Sequence, residues 1–106
     1  MIRAKYRREG SIHVLTLSGH AGYAEHGADI VCAAVSATAY NLLGWLENHS
    51  EQLEFIQTHV GSGGVEITCE GGEDAAVAFG LTVTGLEQIA YKYPDNVTMD
   101  IVGLAD

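Results

Sequence analysis

In the stretch GHAGYAEHGADIVCAAVS, Gly19 to Ser36, a histidine and a cysteine stand with eleven residues between them. A thiol acts as a nucleophile in its thiolate form, and imidazole is the side chain suited to exchanging a proton near neutral pH. Cys32 and His20 are therefore a candidate nucleophile and general base for acyl transfer. Asp29 has the residue type of a helix N-cap, which puts Cys32 in the first helical turn. Backbone N–H groups there have no intrahelical partner, and with the helix dipole they favour a thiolate. The same groups are candidates to hold an oxyanion.

Asp29 has two readings: it caps the helix, or it orients His20 through a hydrogen bond. Its charge works against a neighbouring thiolate. Plainer readings of these residues are a turn followed by a buried thiol, or a redox-sensing thiol that cleaves nothing. His20, His26, Asp29 and Cys32 are all zinc-ligand types, but the stretch lacks the close paired spacing of zinc sites. No metal and no cofactor is expected. The second thiol, Cys69, shares one strand face with Val65 and Ile67, so it reads as core. His13, His49 and His59 show no partner in the sequence and read as exposed or structurally satisfied.

The elements that must position this chemistry follow from periodicity. Ile2, Ala4 and Tyr6 alternate with Arg3, Lys5 and Arg7, the pattern of a half-exposed strand. Glu9-Gly10 marks a hairpin turn, and Ser11 to Ser18 returns as a more central strand. Val31, Val35, Thr38, Leu42 and Leu46 form one stripe of a helix from about Ile30 to Asn48. Gly44 weakens that helix and is a place for another element to approach closely. A second hairpin spans Leu53 to Val60 and Val65 to Glu70 around Gly61-Ser62-Gly63-Gly64. A second helix, about Asp74 to Tyr93, buries Phe79, Val83, Leu86, Ala90 and Tyr93 and stops at Pro94. Val97, Met99 and Ile101 alternate as a last strand. The order is β-β-α-β-β-α-β, an α+β domain with two helices packed on a mixed or antiparallel sheet.

The chain has 106 residues, 47% apolar, with one proline, which fits a single domain over residues 1–106. The polar residues Ser36, Thr38, Tyr40 and Asn41 argue against a membrane span in the longest apolar run. The charged start MIRAKYRREG has no apolar segment behind it, so a cytoplasmic location is expected. Formal net charge is −9, and four of the five basic residues lie at Arg3, Lys5, Arg7 and Arg8. So acidic a body lacks the basic face that nucleic-acid backbones require. It suits a basic protein partner, either as a substrate or for a non-enzymatic binding module.

Gly19, His20, Ala21, Gly27, Asp29, Ile30, Val31, Cys32, Ala33, Ala34, Val35 and Ser36 together resemble the signature of the bacterial ribosomal-processing cysteine proteases. Element order and length agree over essentially the whole chain. The resemblance implies a homodimeric endopeptidase that removes an N-terminal extension from the precursor of a large-subunit ribosomal protein. It implies Cys32 as nucleophile and His20 as general base and later acid. It also implies that the loop between them, Ala21 to Val31, rearranges on substrate binding. Gly22 and Gly27 are then candidate hinges of the lid, with Ser36 a candidate substrate contact. The basic ribosomal precursor would be the partner, with no direct nucleic-acid or membrane contact.

Overall fold

The computed structural model describes residues 1–25, 27–61 and 63–103. Its elements are β1 (Ile2–Glu9), β2 (Ile12–Ser18), α1 (Ile30–Asn48), a 3-10 turn (Ser50–Gln52), β3 (Phe55–Gly61), β4 (Gly64–Glu70), α2 (Glu73–Lys92) and β5 (Val97–Val102). The five strands lie in the order β3-β4-β2-β1-β5. β1 and β5 run parallel, while the other neighbours are antiparallel. The sheet is thus mixed, with the expected α+β order. β3 begins two residues later than expected, because Leu53 and Glu54 follow the 3-10 turn.

Alternation assigns each sheet face. Tyr6 stands opposite Leu15, which stands opposite Ile67, and Ile2 pairs with Val97. All five are buried, so this face lies beneath the helices. On the reverse face Lys5 lies between Thr16 and Asp100, and Thr16 is paired onward to Glu66. Leu42 and Leu46 of α1 and Phe79 and Leu86 of α2 complete the core. Burying each such side chain contributes about 1.5–3 kcal/mol.

The stripe of α1 differs in one position from the expected one. Ala39, not Thr38, is buried with Val31, Val35, Leu42 and Leu46. Thr38 is half-buried and turns its hydroxyl back to the Ala34 carbonyl at 2.8 Å. Its methyl faces α2 at Gly85, where a Cβ would lie 3.4 Å away. The close helix approach therefore falls at Gly85. At Gly44, where it was expected, nothing lies within 4 Å of a Cβ. By length and composition α1, with 19 residues and mean hydropathy 1.3, is apolar enough to cross a membrane, despite its polar interruptions. In this fold its buried stripe packs on the sheet.

His13 is the unexpected member of the core. It is fully buried in a three-ring cluster with Tyr6 and Phe79, with Nδ1 2.6 Å from the Tyr6 hydroxyl. Its Nε2 has no hydrogen-bond partner among the described residues. Burial, reinforced by nearby Arg8, holds its imidazole below the ordinary histidine range. One nitrogen is satisfied and the other is not, so it fits neither sequence reading fully.

Candidate active site

β2 carries the chain to Gly19, whose backbone lies in the left-handed region at φ +90°. A Cβ on Gly19 would collide with the Met1 carbonyl oxygen, so only glycine fits this turn. The turn delivers His20, exposed, to the mouth of a cleft at the start of α1. Cys32 enters the same cleft from the first turn of that helix, half-buried. Ser36 and Tyr40 follow at four and eight residues along the same helix side, and Val60, Gly61 and Gly63 form the opposing wall. The cleft encloses about 270 Å³.

His20, Cys32 and Ser36 also line a second depression of about 480 Å³, with Gly22, Ala24, Gly27, Asp29 and Ala33. The three side chains therefore sit where two hollows meet, which is the shape a chain passing across a nucleophile would need. Gly22 and Gly27 both adopt positive φ, +68° and +90°, with open space where a Cβ would stand. His26, a member of the zinc-ligand set read from the sequence, lies outside the described residues. Among the described residues no cluster of metal-ligating side chains is present.

Asp29 holds the segment in shape. One carboxylate oxygen accepts from the N–H groups of Val31 (3.0 Å) and Cys32 (2.9 Å). The other accepts from Tyr23 (3.0 Å) and Ala24 (3.3 Å). The Cys32 N–H bond, aided by those of Ala24, Tyr23 and Val31, keeps this carboxyl below its ordinary range against the opposing effect of desolvation. Asp29 is thus the helix cap and a staple for the loop, and no hydrogen bond joins it to His20. This corrects the oxyanion expectation as well. The N–H groups of Val31 and Cys32, read as open donors, are already engaged by Asp29, and that of Ala33 bonds the Asp29 carbonyl at 3.1 Å.

The donor that does meet the thiol comes from elsewhere. The Ala21 N–H points at Cys32 Sγ, 3.3 Å away. The Ala21 carbonyl in turn accepts from Asn96 Nδ2 at 2.9 Å. The loop is also docked through the edge of Tyr23 on Tyr93, ring centroids 5.4 Å apart. Sequence reasoning missed Asn96, Tyr40 and the wall of Val60, Gly61 and Gly63. Tyr40 was readable from its helical spacing to Cys32 and Ser36. Asn96, a turn residue 75 positions from its partner, carries no such signal. Cys69 behaves as expected: it is fully buried, and burial together with Glu70 pushes its thiol up, away from reactivity.

Known proteins resemble this chain in sequence and in fold. The family model described as cysteine protease Prp matches residues 1–98. The ribosomal processing cysteine protease Prp of Mycoplasma pneumoniae is 37% identical over 92 residues, covering 85% of this chain and 88% of that one. Its counterpart in Mycoplasma genitalium is 31% identical over 90 residues, covering 85% and 89%. The fold matches that of the ribosomal processing protease Prp of Staphylococcus aureus, solved with a covalently linked product peptide, at a TM-score of 0.85. That pair is 21% identical, with 95% of this chain and 99% of the other covered. A thiol at a cleft, and a family profile running from the first strand into the last, lead to one assignment: the chain belongs to the cysteine protease Prp family of ribosomal processing enzymes.

Proposed function

We propose that this cysteine protease removes the N-terminal extension of a large-subunit ribosomal protein precursor, with Cys32 as nucleophile and His20 as general base and acid. One observation carries the reading: Cys32 and His20 open together at the junction of two hollows, with a backbone N–H aimed at the sulfur. His20 takes the thiol proton, and the sulfur forms a bond to the scissile carbonyl carbon. As the tetrahedral intermediate collapses, the C–N bond breaks and His20 returns the proton to the departing amine. Water, deprotonated by His20, then attacks the thioester, and the C–S bond breaks to release the acid and restore the thiolate. In keeping with a covalent route, the S. aureus relative holds a covalently linked product peptide.

In this reading Gly22 and Gly27 are the hinges of a lid, since open space and positive φ let the backbone swing there without side-chain cost. Ser36, one turn beyond Cys32, faces the passing peptide. The enzyme works as a cytoplasmic homodimer without a cofactor; a monomer-sized particle in sedimentation at assay concentration would count against the dimer. The decisive experiment is intact-mass analysis of the extended precursor incubated with the protein and with Cys32→Ala. The expected result is loss of one N-terminal peptide with the native protein alone. Cleavage by Cys32→Ala would remove Cys32 as nucleophile, and an uncut precursor in both samples would remove the substrate assignment.

A further inference from the structure

The sulfur of Cys32 is reached by a short relay that begins outside the catalytic segment. Asn96 Nδ2 donates to the Ala21 carbonyl at 2.9 Å, and the Ala21 N–H donates to Cys32 Sγ at 3.3 Å. Ala21 is buried, and both of its backbone polar groups are thereby engaged. Rotation of either adjoining peptide plane would break one of the two bonds. Asn96 is itself fixed by its main chain: its carbonyl accepts from Ile2 at 2.8 Å, and its N–H donates to Tyr93 at 3.0 Å. The amide side chain therefore projects from a rigid turn between α2 and β5.

We propose that Asn96 is a positioning residue for the nucleophile, holding the Ala21 peptide so that its N–H stays on the Cys32 sulfur. Two consequences follow from that placement. A hydrogen bond to sulfur favours its charged form over the neutral thiol. After attack, the oxyanion forms one carbon away from the sulfur, within reach of the same N–H, and a pre-oriented donor is most effective there. The role matters more because Asp29 already engages the N–H groups of Val31 and Cys32. Ala21 supplies what the helix start does not.

The inference rests on Cys32 being the nucleophile, and the test separates the two claims. The full chain and its Asn96→Ala, Asn96→Asp, Asn96→Gln and Cys32→Ser variants are assayed on a peptide spanning the precursor's cleavage site. Cys32 alkylation by iodoacetamide is followed by mass spectrometry across pH. Asn96→Asp keeps the side-chain shape but sets an acceptor against the Ala21 carbonyl. Its kcat is expected to fall roughly 100-fold, the scale of a misplaced donor, with KM little changed. Its alkylation is expected to slow several-fold at pH 7. Near pH of about 10, where an ordinary thiol is ionised in any case, it should match the native rate. Asn96→Gln, which retains an amide donor, should recover part of both rates.

Native kcat and alkylation in Asn96→Ala and Asn96→Asp would overturn the proposal. So would equal losses in Asn96→Asp and Asn96→Gln, because the donor would then not be the operative feature. Alkylation slowed equally at every pH would reduce Asn96 to a structural part of the turn. Cleavage by Cys32→Ser at the native rate would instead overturn the nucleophile assignment beneath it.

Discussion

Asp29 shows how a single side chain can set both the stability and the acid limit of a site. Its folded-state pKa lies below the ordinary carboxylate value, with the Cys32 N–H as the largest cause. Lowered folding pKa means that the unfolded chain binds the proton more readily. The stabilisation is therefore complete above the unfolded value of about 4 and is lost as pH falls through the lower folded value. Asp29→Asn should lower the urea midpoint at pH 7, and the gap between variant and native protein should narrow as pH falls below the unfolded value of about 4. A gap that persists at acid pH would show that shape, not charge, is what the cap supplies. Whether Asp29 capped or oriented was open in the sequence, since the answer depends on where its second oxygen points. That oxygen points to Tyr23 and Ala24.

Among the elements, the pairing of β2 with β4 beneath the cleft leaves no room for a side chain at Gly64. A Cβ on Gly64 would stand 2.3 Å from the Leu17 carbonyl oxygen, whereas one on Gly63 would meet nothing within 4 Å. Gly64→Ala should cost about 1–3 kcal/mol by forcing the strands apart. Gly63→Ala should stay within about 0.5 kcal/mol of native. Chemical denaturation of the two variants checks this, and equal losses would contradict the packing described. Neighbouring glycines thus look alike in sequence and differ in what surrounds them. The same holds for Thr38 and Ala39: periodicity drew the helix correctly but could not say which flank would face α2. The strands, the two helices and the place of Cys32 in the first turn of α1 were legible because they rest on local residue types. Strand order, the buried His13 and the Asn96 contact were not, because each depends on pairings between distant segments.

At the scale of the molecule, charge is segregated. Arg3, Lys5 and Arg7 of β1 lie on the reverse face of the sheet, with Lys5 between Thr16 and Asp100, while Arg8 alternates onto the face of Tyr6 and pairs with His13. The cleft opens on the covered side, in a chain whose formal net charge is −9. If the substrate is a basic ribosomal precursor, long-range attraction should speed its encounter with the enzyme. Its kcat/KM should then fall steadily as salt rises, since the screening length shrinks to about 10 Å at 0.1 M. A short neutral peptide should show little salt dependence. Equal salt profiles for the two substrates would detach the acidic surface from recognition.

β5, the last strand in chain order, lies beside β1, the first, in parallel register, with Ile2 opposite Val97. The turn that leads into it carries the side chain bonded to Ala21. During synthesis, Gly19 to Ser36 leaves the ribosome long before that turn does. Cys32 and His20 would then exist on a nascent chain whose sulfur still lacks the donor held by Asn96. On the inference drawn for Asn96, full competence of the site would arrive only when β5 closes against β1, so the last-formed strand pair would switch on chemistry carried by residues made much earlier.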